Sequence, residues 1–193
     1  MNPLFPSGYY HSDELRAAGI GAVGENVRVH RNLNVYRLEN VFLGDNVAID
    51  AYVSLIASGT IRIGSNVHIG SYCLLSGGDG IEMQDFSGLS QGVRIYSRSD
   101  DYSGASLTNP TTPPDLKTIK RGKVTLERHV IIGANTVILP GVTIGEGSAV
   151  GALSLVRRSL PPWGIFAGTP VRKIGDRSRH LLDLETQYLN RKQ

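Results

Sequence analysis

Residues 132–156 read IGANTVILPGVTIGEGSAVGALSLV and divide into six-residue units that each begin with an aliphatic residue. The first residues of these hexads are Ile132, Ile138, Ile144 and Val150. A short unit that returns at a fixed period is typical of a solenoid, in which stacked repeats bury one continuous core. This stretch therefore predicts a stack of coils.

The same rhythm extends over most of the 193 residues. Val23, Leu43, Ile63 and Met83 open hexads at intervals of 20 residues, and later coils repeat every 18. Strict alternation of apolar and polar residues over long segments is absent, which argues against a sandwich or barrel. We expect three hexads to form each triangular coil, with successive coils pairing as parallel strands.

Positions within a hexad have distinct roles. The first aliphatic residue is expected to point into a narrow core, and the fifth position is small or valine. Examples of that fifth position are Val47, Val67, Cys73, Val130 and Val142. Gly and Asn between them are typical of corners that need a positive φ.

The rhythm stops at Ile95, where the chain reads IYSRSDDYSGASLTNPTTPP, and resumes near Val124. A long irregular insertion in a compact repeat is uncommon and is usually functional. We therefore predict a single domain, 1–193, with a functional loop in its middle. Its parts are a helical cap at about 12–18, coils at about 23–100 and 123–170, the loop at about 100–122, and a C-terminal helix at about 177–191.

Composition narrows the class of protein. The formal net charge is +3, and no apolar run approaches the ~20 residues of a membrane span. The N-terminus lacks the pattern of a signal peptide. The only cysteine, Cys73, excludes an internal disulfide framework. These features favour a soluble cytoplasmic protein. The late basic clusters suit an anionic ligand better than nucleic acid.

The hexads of residues 132–156, followed by WGIFAGTPVRKI at 163–174, resemble the hexapeptide-repeat acyltransferases. The resemblance is to the sugar O-acetyltransferase branch, with its galactoside and maltose acetyltransferases, and it covers roughly 23–174. It implies a mainly β fold, a left-handed parallel β-helix, although crossovers are usually right-handed. It also implies a homotrimer with active sites between subunits, acetyl-CoA as donor, and a loop that covers the cleft.

The catalytic histidine of that branch follows a strand resembling IYSRS, and Asp100 stands at the matching place. Such a histidine takes a proton from a hydroxyl, whereas an unperturbed Asp has a pKa of about 3.9 and is a weak base. Burial, or the neighbouring Asp101, could raise that pKa. Alternatively, the acceptor is an amine, which is already nucleophilic once neutral and needs less assistance from a base than a hydroxyl does. His129, in ERHVIIG, is a second catalytic candidate, although this stretch also suits an ordinary turn.

The donor site is predicted from small and basic residues. A pantetheine arm along a β-helix needs small side chains so that its amides reach the backbone, and CoA phosphates need cations. The small candidates are Gly133, Ala134, Gly151, Ala152 and Ser154. The basic candidates are Arg158, Arg172 and Lys173, of which the resemblance places the two arginines at CoA contacts.

The candidate acceptor-binding residues are Asp79, Asp101 and Tyr102. Asp79, in SGGDG, could bind sugar hydroxyls or its own corner backbone. Tyr102 could stack on a sugar or pin the loop.

The leading functional hypothesis is an acetyl-CoA-dependent acetyltransferase acting on a carbohydrate hydroxyl in surface polysaccharide or lipopolysaccharide synthesis. The alternative is an N-acetyltransferase of a nucleotide-linked amino sugar, which the missing histidine favours. A non-catalytic trimeric scaffold is a third possibility. A β-helical carbonic anhydrase is disfavoured because His68 and His129 do not match its zinc-ligand spacing, so no metal is expected.

Overall fold

A computed structural model describes residues 8–191, and it confirms a mainly β, parallel solenoid. The strands are β1 Tyr9–His11, β2 Ala22–Val23, β3 Arg28–His30, β4 Asn34–Tyr36, β5 Val41–Leu43, β6 Ala48–Ile49, β7 Ser54–Ile56, β8 Ile61–Ile63, β9 His68–Ile69, β10 Leu74–Ser76, β11 Ile81–Met83, β12 Gly88–Leu89, β13 Arg94–Tyr96, β14 Arg98–Asp100, β15 Ile119–Arg121, β16 Val124–Leu126, β17 Ile131–Ile132, β18 Val137–Ile138, β19 Thr143–Ile144, β20 Ala149–Val150, β21 Leu155–Val156, β22 Gly164–Ala167 and β23 Arg172–Asp176. The α-helices are α1 Ser12–Ala17 and α2 Leu181–Asn190, and the 3-10 turns are Leu38–Asn40 and Pro114–Leu116.

Three sheets form the sides of the coils. Sheet A has the order β1-β3-β6-β9-β12-β17-β20-β22-β23, sheet B the order β2-β5-β8-β11-β16-β19, and sheet C the order β4-β7-β10-β13-β18-β21. The pairs inside the solenoid are parallel, while β1 and β23 close the ends of sheet A with antiparallel pairs. Strands β14 and β15 pair only with each other, outside the three sheets.

The strand register gives the length of each coil. In sheet C, Ser54 pairs with Leu74 and Leu74 with Arg94, so these coils take 20 residues each. Arg94 pairs next with Val137, 43 residues later, and Val137 pairs with Leu155, 18 residues later. The long step contains the loop, which leaves the stack at the corner between sheets C and B.

The core consists of columns of hexad openers, one from each coil. In sheet A the column is Ile49, Ile69, Leu89, Ile132 and Val150; in sheet B it is Leu43, Ile63, Met83, Leu126 and Ile144; in sheet C it is Leu55, Leu75, Ile95, Ile138 and Val156. All are buried, as are the valines at the fifth position. Where the fifth residue is polar, as at Thr136 and Ser148, its hydroxyl donates to a backbone carbonyl. The predicted roles of both positions are thereby confirmed.

Asparagine and glycine serve different needs at the corners. Asn46 and Asn66 adopt positive φ values of 55° and 58°, as the sequence predicts. Gly44 and Gly64, by contrast, do not have positive φ values. A Cβ on Gly44 would lie 2.8 Å from the carbonyl carbon of Gly64 in the next coil. The prediction of positive φ is therefore wrong for these glycines, which are required by the close approach of successive coils.

Two helices flank the solenoid, one near each end of the described chain. Helix α1 covers the first coils and buries Leu15. Helix α2 begins at Leu181, four residues later than the sequence predicts, and packs against the solenoid side. There the Tyr188 hydroxyl donates to Asn66 Oδ1 at 3.0 Å, and the Tyr188 ring meets Phe86 edge-on. Within residues 8–191, we find no helix that is long and apolar enough to cross a membrane.

Replacing Gly44 by Ala should lower the free energy of unfolding by about 1–3 kcal/mol, because the added methyl group overlaps the backbone of the next coil. Thermal and chemical denaturation measure this change. The matched control is Gly88→Ala in β12, where the nearest atom to the new Cβ is His68 O at 3.6 Å. Equal stability of the two variants would contradict the packing explanation.

Candidate active site

The loop that interrupts the solenoid begins and ends in a two-stranded ribbon. Strand β14 pairs antiparallel with β15, so that Arg98 faces Arg121 and Asp100 faces Ile119. The Gly122 amide donates to Ser97 O at 3.1 Å, which closes the ribbon where it meets the coil. The loop therefore has a fixed base, and Asp100 lies at the outer end of that base.

Asp79 anchors this base from the preceding coil. Its carboxylate accepts hydrogen bonds from Arg98 Nε at 2.6 Å and Arg98 Nη2 at 3.1 Å, and Arg121 Nη1 lies 3.4 Å away. These contacts, those of Arg98 above all, hold the pKa of the Asp79 carboxyl below its usual value. The sequence predicts that Asp79 binds the acceptor, but the structure occupies its carboxylate with two arginines. Asp79 secures the loop.

A cavity of about 550 Å³ lies between the loop and sheet C. Its lining residues are Tyr96, Arg98, Ser99, Asp100, Tyr102, Asn109, Pro110, Lys117, Ile119, Val137 and Leu139. Tyr96 and Val137 come from neighbouring coils of the solenoid, and the loop supplies most of the polar groups. The cavity is large enough for a small organic substrate.

Asp100 presents a carboxylate to this cavity. Its Oδ2 accepts a hydrogen bond from the backbone amide of Asn109 at 3.1 Å. Within residues 8–191, its Oδ1 has no hydrogen-bond partner, and no cationic side chain lies within 4.0 Å of the carboxylate. Asp100 is therefore placed to receive a positively charged or proton-donating group from a substrate.

Asp101 and Tyr102 lie beside Asp100 in different environments. Both oxygens of Asp101 accept hydrogen bonds from Ser103, through its amide at 3.1 Å and its hydroxyl at 2.6 Å. The hydroxyl contact, which is the larger cause, lowers the pKa of Asp101. Tyr102 is 88% exposed and lines both the main cavity and a second one of about 380 Å³ that Asp101 also lines. Tyr102 is thus free to contact a ligand, while Asp101 is already engaged.

His129 lies apart from Asp100. Its Nε2 is 2.8 Å from Glu185 Oε2, its ring stacks on Phe86, and its carbonyl accepts from Arg177. Only 7% of His129 is exposed, and it does not line the cavity at Asp100. Burial opposes ionisation of Glu185, but contacts with His129 and Arg128 outweigh it and lower the pKa of Glu185. The sequence-based prediction that His129 takes part in catalysis is therefore not supported within this chain, where His129 attaches helix α2.

The five small residues predicted to contact pantetheine lie in three different environments. Gly133 packs directly on Ala152 in the next coil, and Gly151 on Ala167, so small residues here follow from coil packing. Half-buried Ala134 and exposed Ala152 lie at neighbouring corners and leave a shallow surface there. Ser154 differs, because it is buried and its hydroxyl donates to Gly151 O at 2.8 Å and accepts from the Gly168 amide at 3.1 Å. Ser154 is a core residue, contrary to the prediction that it contacts pantetheine.

The basic candidates converge at the C-terminal end of the solenoid. A groove of about 290 Å³ is lined by Arg157, Arg158, Ser159, Leu160, Pro170, Val171 and Arg172. Three guanidinium groups at one groove provide the multiple donors that phosphate groups require. Lys173 does not line the groove, and its Nζ lies 2.5 Å from Asp176 Oδ1.

The groove and the cavity lie on consecutive coils. Leu139, which lines the cavity, donates its amide to Val156 O at 2.9 Å, and Arg157 follows Val156. Neighbouring coils are about 4.8 Å apart in a parallel sheet. An extended ligand could therefore place its phosphates at the arginines and its other end beside Asp100.

Sequence reasoning named Asn109 only as part of the Asn109-Pro110 pair that stiffens the loop, and it did not name Lys117 or Arg157 as site residues. Asn109 carries the amide that holds Asp100, and Lys117 lines the cavity from the far end of the loop. The Asn109-Pro110 pair is a turn signal that marks a fixed point of the loop. No sequence pattern marks Lys117, because its place beside the cavity depends on how the loop folds back.

The described residues contain no group of three or more His, Cys, Asp or Glu side chains arranged to hold a metal ion. Cys73 is buried, and that burial raises the pKa of its thiol to about 11. A thiol in this state is a poor nucleophile and a poor metal ligand.

Comparison with known proteins agrees with this fold. The family described as Bacterial transferase hexapeptide (six repeats) matches residues 123–158. The chain is similar to the dTDP-4-amino-4,6-dideoxy-D-glucose acyltransferase of Escherichia coli, with 35% identity over 181 residues that cover 93% of this chain and 94% of the relative. The chain therefore belongs to the hexapeptide-repeat acyltransferases, and the predictions of family and enzyme class are confirmed.

Two solved structures separate the branches of the family. The chain is similar to AntD, an N-acyltransferase from Bacillus cereus in complex with dTDP and 3-hydroxybutyryl-CoA, with 44% identity, a TM-score of 0.93, and coverage of 96% of this chain and 98% of AntD. It is less similar to a maltose O-acetyltransferase from Clostridium difficile, with 25% identity, a TM-score of 0.56, and coverage of 86% and 74%. The amino-sugar branch is the better match.

Replacing Asp79 by Asn should loosen the loop base, with a loss of about 1 kcal/mol at neutral pH for a partly exposed ion pair. Because folding lowers the pKa of Asp79, its contribution is fully present above the unfolded value of about 3.8 and is lost as pH falls through the folded value. Limited proteolysis and thermal melting from pH 7 to pH 2 measure both effects. Asp115→Asn, an exposed change in the same loop, is the control, and an equal response of the two variants would contradict this role.

Proposed function

We propose that this enzyme transfers an acyl group from a CoA thioester to the amino group of a dTDP-linked amino-dideoxy sugar. The observation that carries the proposal is the cavity at Asp100, which presents one unoccupied carboxylate oxygen and has no histidine among its lining residues. Two similar proteins support the choice of acceptor. The relative from Escherichia coli is named as a dTDP-4-amino-4,6-dideoxy-D-glucose acyltransferase, and a mutant of the N-acyltransferase AntD has been solved with dTDP-4-amino-4,6-dideoxyglucose bound.

A carboxylate suits an amine acceptor for an electrostatic reason. A sugar amine near pH 7 is largely an ammonium ion, which pairs with a carboxylate and is oriented by it. Loss of a proton gives the neutral amine, which is already a good nucleophile. A hydroxyl, by contrast, needs a base of near-neutral pKa during attack. The cavity therefore favours an amine over the carbohydrate hydroxyl that the leading sequence hypothesis named.

The proposed reaction proceeds by addition and elimination at the thioester carbon. The bound ammonium first loses one proton to bulk water. The neutral amine nitrogen then forms a bond to the thioester carbon, and Asp100 accepts the second proton that this nitrogen loses. The carbon–sulfur bond breaks, and CoA leaves as a thiolate that takes up the proton from Asp100. Asp100 holds the amine beside the thioester and stabilises the positive charge on nitrogen while the bond forms.

The donor is proposed to lie along the shallow surface at Ala134 and Ala152, with its phosphates at Arg158 and Arg172. Arg157 lines the same groove and is added to the predicted contacts. Acetyl-CoA remains the donor predicted from sequence, and the 3-hydroxybutyryl-CoA bound in AntD makes a longer acyl group a second donor to test.

Three further features of the predicted function belong to the proposal. A homotrimer with its clefts between subunits is implied by the family resemblance. A cytoplasmic location is consistent with acyl-CoA as donor and with the unpaired thiol of Cys73. A nucleotide-activated N-acyl sugar would be a suitable donor for surface polysaccharide or lipopolysaccharide synthesis.

Asp100→Asn should lower kcat by about 10²- to 10⁴-fold, because the amide cannot accept the proton. The assay follows CoA release with acetyl-CoA or 3-hydroxybutyryl-CoA and dTDP-4-amino-4,6-dideoxy-D-glucose. The matched acceptor is dTDP-6-deoxy-D-glucose, which carries a hydroxyl in place of the amine. Asp115→Asn is the protein control. Turnover of the hydroxyl acceptor alone, or full activity of Asp100→Asn, would overturn the proposal.

Arg172→Ala and Arg158→Ala should each weaken CoA binding about 10-fold or more, because each removes a charge-assisted hydrogen bond to phosphate. Calorimetric titration with CoA measures the dissociation constant, and raised salt should reduce the difference from the wild type. Arg62→Ala serves as the control, since Arg62 stacks on Phe42 in the N-terminal coils. Unchanged affinity in both groove variants would move the phosphate site elsewhere.

A further inference from the structure

We propose that Asn109 and Lys117 are positioning residues that hold Asp100 in its working orientation. This inference rests on the proposed function of Asp100. The loop folds back on itself so that Asn109, nine residues after Asp100, lies against the Asp100 carboxylate, and Lys117 lies against Asn109. All three residues line the same cavity.

The first contact fixes one carboxylate oxygen. The Asn109 amide donates to Asp100 Oδ2 at 3.1 Å, while Oδ1 has no partner within the described chain. A carboxylate with one oxygen fixed can rotate little about its last bond. The remaining oxygen therefore keeps one direction toward the cavity, where the acceptor amine would lie.

The second set of contacts fixes the backbone of Asn109, and with it the backbone amide that binds Asp100. Asn109 has a φ of 66°, a left-handed conformation that asparagine tolerates better than most residues. Its Oδ1 accepts hydrogen bonds from the Thr111 amide at 2.9 Å and the Thr111 hydroxyl at 2.6 Å. Pro110 lies between them and restricts the backbone further. This turn sets the direction in which the Asn109 amide points.

The third contact ties the turn to the returning part of the loop. Lys117 Nζ donates to Asn109 O at 2.9 Å. Lys117 is itself held, because its backbone forms a parallel bridge with Leu107 and the Leu107 amide donates to Leu116 O at 2.9 Å. The lysine is only half-buried, yet it makes no ion pair with any described carboxylate. In the part of the chain that the structure describes, the Lys117 ammonium group is therefore free of carboxylate partners and can hold the backbone carbonyl of Asn109, in the turn whose amide binds Asp100.

These contacts form one chain from Lys117 through Asn109 to Asp100. Breaking it at either residue should let the carboxylate swing, without removing the carboxylate or its unoccupied oxygen. The expected result is a lower kcat with a nearly unchanged KM for the donor.

The test compares Lys117→Met, Lys117→Arg and Asn109→Gly in the full-length enzyme with the amino-sugar acceptor. Glycine keeps both the amide and the positive φ but loses the bonds to Thr111. We expect kcat to fall about 10- to 100-fold in Lys117→Met and Asn109→Gly, and Lys117→Arg to restore most of it. The double variant should lose no more than the worse single variant, since both break one chain of contacts.

Lys120→Met is the matched control, because Lys120 is an exposed lysine of β15 that does not line the cavity. Melting temperatures and far-ultraviolet circular dichroism establish that each variant is folded. A rise only in the acceptor KM for Lys117→Met, with kcat unchanged, would overturn the positioning role and make Lys117 a substrate contact.

Failure of this inference is distinguishable from failure of the proposed function. Wild-type kcat in both Lys117→Met and Asn109→Gly, together with an inactive Asp100→Asn, would refute the inference alone. Full activity of Asp100→Asn would refute the proposed function and the inference together.

Discussion

Every feature of this protein depends on the stacking of one coil on the next. Parallel strands of two or three residues join neighbouring coils, and such short strands are stable only when many coils stack in register. The stacking brings backbones so close that a side chain at Gly44 or Gly64 would displace the next coil. The same stacking puts the aliphatic residues into continuous columns, so the core and the glycine pattern share one cause.

The loop gains its precision from this regular base. It leaves one corner of the stack and returns to the same corner, and Asp79 in the preceding coil holds both of its strands through arginines. A flexible insertion would lose much of its binding energy to ordering. Here the fixed base and the internal turn at Asn109 order the loop before any ligand binds. The enzyme therefore combines a rigid scaffold with a pre-organised loop, which carries the carboxylate that we propose to be catalytic.

Three aspartates near the loop have the same chemistry but different surroundings. Asp79 is paired with arginines, Asp101 is hydrogen-bonded to Ser103 through both oxygens, and Asp100 keeps one oxygen unoccupied toward the cavity. Only a group in the third situation can exchange a proton with a substrate without first losing a partner. This distinction supports an amine acceptor, because an ammonium ion supplies the positive charge that Asp100 lacks.

The sequence by itself determined the solenoid, the position of the interruption, the C-terminal helix and the family. These follow from local periodicity, since each hexad repeats the same burial pattern and requires no knowledge of distant residues. The place of Asp100 in the loop could be predicted, as could the basic end of the chain. The acceptor-binding residues were harder to predict, because the sequence does not show which partners the carboxylates of Asp79 and Asp101 have.

Only the tertiary structure decided which of these candidates are free to act. It buried Ser154 in the core, placed His129 against Glu185, and brought Lys117 to the turn that holds Asp100. Such contacts join residues from different coils or from opposite ends of the loop, and no local pattern encodes them. The physical reason is that a side chain's availability depends on its partners in space, and folding alone brings those partners together.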